Sequence, residues 1–349
     1  MSRPTDTQLK NKGQFKPPYL LLKLTLSGGL FYWLVNRGLV DIKSLELFMS
    51  SPTLILSAIL FWLFGPILLS AIRWKILLKS AGFRISTYKA VKLQLVGVFF
   101  TTVLPGSLGG DLVKAYYLIA DNKEKSKTSA IWSILFDRLV GMCGLFLIGT
   151  AFIFLNFDSL WENTSLRLVM LLVPAYVAGF IVLVFILRLI KPAIAGNVSE
   201  GGGVGLKGKL LNAFEKLRVY AGDNGVLVKS VSLSAVAHGL SFLFFYQLYL
   251  FTSGSGSGLF TELPAIASIF PIGMLMTVLP ISPGGLGVGH LAFSQLFAII
   301  GLTNGANVFN SYFISQILLN LTGVIAYLHI RPGRTWSSSP SGTKAYTNR

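Results

Sequence analysis

The sequence predicts an all-α integral membrane protein with about six full transmembrane helices and two re-entrant helical hairpins arranged as an inverted repeat. Three observations predict it. Of 349 residues, 53% are hydrophobic and 12% are charged, against about 25% charged in an ordinary soluble domain. The basic residues gather in alternate segments between apolar runs, the pattern of loops kept on the cytoplasmic side. One phrase also occurs twice, Thr-Val-Leu-Pro-Gly-Ser-Leu-Gly-Gly at 102–110 and Thr-Val-Leu-Pro-Ile-Ser-Pro-Gly-Gly at 277–285, so that Thr277 follows Thr102 by 175 positions. Each copy breaks an apolar stretch with Pro and a Gly pair, and matched interruptions in two halves point to a transporter's substrate site.

Residues 1–18 form a basic N-terminus, expected in the cytoplasm. It resembles the start of a signal peptide, but no small-x-small cleavage site follows, so 19–36 reads as a retained first span. Further full spans are expected near 52–72, 129–156, 166–188, 230–252 and 308–330. Two paired segments of shorter runs, near 90–120 and 263–302, carry the repeated phrase in their middles. Of the 30 Lys and Arg, 25 fall in segments 1–18, 73–92, 112–127, 188–229 and 331–349, while 253–262 and 303–307 have none. Both ends of 90–120 are therefore cytoplasmic and both ends of 263–302 external. Leu93 to Leu104 makes about 18 Å of helix against a hydrocarbon core of about 30 Å, which favours a hairpin that turns back at depth. The other reading, two full spans with short loops, stays open. Span, hairpin and span recur at 52–156 and 230–330 with opposite sidedness, giving a membrane domain over 19–330 with two inverted halves.

Between the halves, the cytoplasmic loop 189–229 contains Leu206, Leu210, Leu211, Phe214 and Leu217 at helical spacing among Lys207, Lys209, Lys216 and Arg218. Two readings stay open: a helix lying on the anionic membrane surface, or one packed on the bundle. The Ser-Gly run at 253–258 is expected as a flexible external loop, and 331–349 as a disordered cytoplasmic tail.

The net charge of +17 is spread over alternate loops, which argues for an anionic membrane surface and against nucleic acid. The single cysteine, Cys143, excludes an intrachain disulfide and a cysteine metal site. No His-Glu-x-x-His, Gly-x-Ser-x-Gly or Walker-type Lys loop is present. No catalytic residue, metal ligand or cofactor is therefore assigned, and ATP is not expected as the direct energy source.

The candidate binding residues lie in the two hairpins and the span after the first. Around the first turn are Pro105, Ser107, Gly109, Gly110 and Asp111, with Lys114 one helical turn on. Bare Gly-Gly backbone and a helix N-terminus suit an anion such as a lipid phosphate, and Asp111 suits an amine on the same headgroup. Asp111 as a plain helix cap remains the alternative. Asp137 and Arg138 interrupt the apolar run 129–156, where charge is costly and faces the bundle interior or an interface. Consecutive helical residues point about 100° apart, so the two are expected to find separate partners. The second hairpin offers Ser282, Gly284, Gly285 and His290, the last reading equally as a hydrogen-bonded structural group. Gln94, His238, Gln247, Gln295, Gln316 and Asn320 are further intramembrane polar groups, any of which serves as an interhelical hydrogen-bond partner.

Arg73-Trp74 with Leu77-Leu78, Leu104-Pro105-Gly106 with Gly109-Gly110-Asp111, Asp137-Arg138-Leu139, and Pro283-Gly284-Gly285-Leu286-Gly287-Val288 together resemble the membrane domain of lysylphosphatidylglycerol synthase/flippase proteins. The resemblance covers roughly residues 15–330. It implies a multi-pass plasma-membrane protein of a bacterium or archaeon that moves a polar or glycosylated lipid between leaflets. It also implies that synthase activity is absent, since only about twenty residues follow the last span. Lys114 stands where the family usually has Arg, and Gly289-His290 where it usually has Arg-Glu.

The expected function is translocation of a phospholipid or polyprenyl-linked lipid by alternating access around the two hairpins. Three other classes stay open: a membrane enzyme that transfers aminoacyl or glycosyl groups to lipid headgroups, an accessory subunit of such an enzyme, and a small-solute carrier. The expected partners are the lipid, the anionic membrane surface, and a second copy or a lipid-modifying enzyme.

Overall fold

The computed structural model describes residues 51–104, 109–122, 126–189, 206–253, 262–278 and 287–330, and every regular element among them is helical. Five helical stretches are long and apolar enough to cross a membrane: 52–80, 127–155, 164–189, 224–252 and 305–329. They match five of the six expected spans. The expected span 19–36, the two termini and the hairpin turns 105–108 and 279–286 lie outside the described residues.

Helix α1 (Pro52–Ser80) opens with Pro at its first turn, where the missing N–H costs nothing. Pro66, which lacks a backbone donor, lies inside a π-helical stretch over Leu63–Leu69. The helix runs on past residue 72 because Trp74, Leu77 and Leu78 continue its buried face. It ends where Gly82, at φ +81°, lets Phe83 N–H reach back to the Leu78 carbonyl at 2.9 Å. The Ser86 side chain caps α2 (Thr87–Val103) by accepting from Lys89 N–H. Because of that cap, α2 has 17 residues, about 26 Å; it begins six residues before Leu93 and carries Lys89 and Lys92 on its first turns.

Helix α3 (Gly109–Asp121) returns along α2. Lys89 meets Asp121 at 2.9 Å at the base of this pair, Lys114 meets Gln94 at 3.1 Å in the middle, and Gly110 lies on Gly97 near the turn. These successive contacts define an antiparallel helical hairpin. A Cβ on Gly110 would stand 2.0 Å from the Gly97 carbonyl oxygen, so only glycine permits that approach.

Next come α4 (Lys127–Leu155) and α5 (Arg167–Leu189). These two are antiparallel, with Phe146 stacked on Tyr176 and Phe136 against Phe180. The α5 helix is peripheral and presents Leu168, Leu171, Leu172, Ile181, Val182 and Phe185 outward. Helix α6 (Leu206–Ala221) packs its last turns on the bundle through buried Leu217, Tyr220 and Ala221, with Tyr220 stacked on Phe136. That supports the packed reading of the loop helix; Leu206, Leu210 and Leu211 lie outside the described side chains.

The second half is α7 (Asn224–Thr252), the helices α8 (Leu263–Val278) and α9 (Val288–Ile299), then α10 (Gly305–Leu321) and α11 (Gly323–His329). Shifting the first half by 175 positions lays each helix on its counterpart within a few residues. The tertiary contacts repeat as well. Helix α1 runs antiparallel to α7, with Phe61 stacked on Phe244, Gly65 beside Ala237 and Arg73 bonded to Ser234. Helix α2 packs on the other half's last helices, where a Cβ on Gly323 would stand 2.3 Å from the Leu95 carbonyl oxygen. Helix α8 packs likewise on α4, where a Cβ on Gly149 would stand 2.6 Å from Pro271. Gly149 and Leu95 thus have their equivalents, within one position, at Gly323 and Pro271. Small residues that let helices close on each other are what hold bundles together in lipid, where apolar burial between helices gains little. The interior of the second half is aromatic, with fully buried Phe245, Phe270, Phe293 and Phe309 packed ring against ring.

Candidate functional site

Two ionic clusters lie on either side of α4. Arg138 Nε donates to Asp111 Oδ2 at 2.6 Å, and Lys114 Nζ approaches Asp111 Oδ1 at 3.2 Å. The Lys114 stem crosses the bare backbone of Gly97, where a Cβ would stand 2.5 Å from Lys114 Cδ. Its ammonium donates to Gln94 Oε1 and sits 4.6 Å from the centre of the Trp74 ring, a cation–π contact worth about 0.5–2 kcal/mol. Gln94 in turn donates to the Pro66 carbonyl at 2.9 Å, a carbonyl in the π-helical stretch of α1. Lys114 is buried, while the Asp111 and Arg138 side chains keep 18% and 24% of their exposure. The carboxylate is therefore more than a helix cap: it joins both cations at the first turn of α3.

On the other side, Arg73 holds Asp137 with two bonds, Nε to Oδ1 at 2.7 Å and Nη2 to Oδ2 at 2.8 Å. Its Nη1 donates to Ser234 Oγ at 2.7 Å. Both charged residues are 7% exposed. Asp137 and Arg138 do find separate partners, as helical geometry requires. Arg73 carries part of the family resemblance but is not among the expected site residues, because hydropathy ends the span at 72 and leaves it among the loop cations. The buried-face spacing of Trp74, Leu77 and Leu78 was the signal that the helix continues.

His290 stands apart from both clusters. It bonds Asn310 at 3.1 Å and lies edge-on to Phe309, and its Nδ1 accepts from Gly287 N–H at 3.4 Å. That fits the structural reading of a lone histidine. Gly109 and Gly110 sit in the first turn of α3 beside Asp111. Pro105, Ser107, Ser282, Gly284 and Gly285 lie outside the described residues. Of the other polar groups, His238 lies against the Gly141 backbone beside Arg73. Asn320 joins Trp62 at 2.9 Å to Thr102 at 3.1 Å, tying the first hairpin to spans of both halves. Among the described residues, no group of three or more His, Cys, Asp or Glu could hold a metal ion.

Comparison with known proteins gives one family: the lysylphosphatidylglycerol synthase TM region matches residues 20–311. A UPF0104 membrane protein of Pyrococcus horikoshii is 23% identical over 270 residues, covering 71% of this chain and 77% of that protein. No solved structure matches.

Proposed function

The chain belongs to the lysylphosphatidylglycerol synthase TM region family, and from that membership we propose that it translocates a phospholipid or polyprenyl-linked lipid between membrane leaflets. The observation that carries this reading is Asp111, a carboxylate at the first turn of a short helix inside an apolar bundle, shared between Arg138 and Lys114. Charge at membrane depth is expensive and is kept where a polar substrate passes. The two cations take the headgroup's phosphate and Asp111 its amine or hydroxyl groups, while the acyl or prenyl chains stay in the surrounding lipid.

The hairpins are re-entrant, one from each face. None of their four arms reaches the roughly 30 Å of a full hydrocarbon core: at about 1.5 Å per residue, their 17, 13, 16 and 12 residues fall short. The antiparallel contact of α1 with α7 supports an inverted repeat, and the Lys and Arg distribution is what supports both termini in the cytoplasm of a plasma membrane. Rocking one half against the other exposes the hairpin turns alternately to the two leaflets. Pro105, Ser107, Ser282, Gly284 and Gly285, outside the described residues, enter this proposal from the repeated phrase alone, and a second copy or a lipid-modifying enzyme is the proposed partner.

Asp111→Asn tests the site. Leaflet exchange of labelled lipid in proteoliposomes should fall at least about tenfold, the scale of a lost charged contact, while the variant keeps its detergent-phase melting temperature within a few degrees. Exchange at the wild-type rate would leave Asp111 a structural residue only.

A further inference from the structure

We propose that Arg73 is a positioning residue for Arg138: it touches neither Asp111 nor the lipid, but sets the direction in which Arg138 points. The proposal rests on the reading of Arg138 as a headgroup contact. Asp137 and Arg138 are consecutive on α4, about 100° apart around the helix. Asp137 is gripped by both prongs of the Arg73 guanidinium, at 2.7 and 2.8 Å. The third bond, from Nη1 to Ser234 at 2.7 Å, ties the same guanidinium to α7. A two-pronged guanidinium–carboxylate pair fixes direction as well as distance.

Glycines of α4 make room for the arrangement. A Cβ on Gly141 would stand 3.3 Å from Arg73 Nη1, and one on Gly144 would stand 2.3 Å from Ser234 Cβ. His238, one turn beyond Ser234, lies against the Gly141 backbone at the same level. Helix α4 is thereby pinned where the two halves cross. Arg138, on the adjacent face, projects toward the first hairpin.

Rotation is the degree of freedom that this pin removes. Turning α4 by about 30° would carry a Cα roughly 1.2 Å around a cylinder of about 2.3 Å radius, and an Arg tip further. That shift is enough to part Arg138 from Asp111, now 2.6 Å away. A pair that served stability alone would be replaceable, because apolar residues of like volume often substitute for a buried ion pair without loss of stability.

The test is the double variant Arg73→Met/Asp137→Leu, compared with Arg73→Lys, which keeps the charge but not the fork. The double variant should stay folded, and its apparent KM for the exchanged lipid should rise about tenfold with a smaller change in maximal rate. Arg73→Lys should fall between it and wild type. A second readout needs no transport. In a Cys143→Ala background, cysteines introduced by Asp111→Cys and Arg138→Cys are bridged with a short thiol crosslinker, and the yield should drop several-fold when Arg73 and Asp137 are replaced. Should the double variant not fold, Arg73→Lys carries the same two readouts. Unchanged KM together with unchanged crosslinking overturns the proposal. Reduced crosslinking in a protein whose wild type exchanges no lipid sustains the positioning role and rejects the translocation reading instead.

Discussion

Asp111 has two cations within reach, Lys114 one turn on along α3 and Arg138 from α4, and beside it α2 and α3 almost touch. Gly110 has the Gly97 carbonyl oxygen 2.0 Å, and Thr101 Oγ1 2.2 Å, from where a Cβ would be. Gly110→Ala must therefore push the arms apart, and the obstacle on one side is backbone, which cannot step aside. Overpacking of this kind costs about 1–3 kcal/mol, so the variant should melt several degrees lower and lose exchange activity. Gly179→Ala is the control, since nothing lies within 4 Å of its added Cβ; it should melt as wild type. Equal melting of the two alanine variants would mean that the arms are not in contact at Gly110. At this scale the sequence is legible where helical spacing alone decides. The one-turn step from Asp111 to Lys114 and the divergence of Asp137 from Arg138 follow from 3.6 residues per turn. Gly97 as the groove for the Lys114 stem does not, because a glycine in a helix announces a close approach without naming the neighbour.

Hairpins and spans are more legible than their ends. Five apolar spans lie where hydropathy places them, but α1 extends to Ser80 and α2 starts at Thr87. Both differences arise from charged residues that sit inside helices: Arg73 is buried by Asp137 and Ser234, and Lys89 by Asp121. A count of loop cations cannot separate these from solvated ones. Sidedness is tested with an impermeant thiol reagent in a Cys143→Ala background. Asn122→Cys should label only from the cytoplasmic face, and Ser253→Cys and Asn304→Cys only from the external face. Ser107→Cys separates a re-entrant turn from two full spans: with a turn exposed only in part of the cycle it should label from the external face far more slowly than Ser253→Cys, whereas equal rates would show that the first hairpin crosses the membrane.

The whole molecule repeats itself in contacts as well as in sequence. The first arm of each hairpin packs on the last span of the opposite half, through Gly323 on Leu95 and Gly149 on Pro271. The halves cannot move without these crossings sliding, and the Arg73–Asp137–Ser234 cluster sits where all of α1, α4 and α7 meet. The charged residues are distributed unequally: residues 230–330 contain no Lys or Arg and one acid, Glu262. The two repeats thus share a scaffold while the first holds the ionic groups. The repeated phrase made this architecture legible. The headgroup class that the proposed function would serve was not, because headgroup chemistry depends on side-chain placement that spacing does not specify.

The most direct measurement is leaflet exchange by the wild-type protein in proteoliposomes, set against empty vesicles. The labelled lipids are phosphatidylglycerol, its aminoacylated form, phosphatidylethanolamine and a polyprenyl phosphate. Exchange of at least one of them well above the empty-vesicle rate is the expected result, and it would also name the headgroup class. Folded protein that exchanges none of the four would contradict translocation and return the ionic cluster to a role in holding the bundle together.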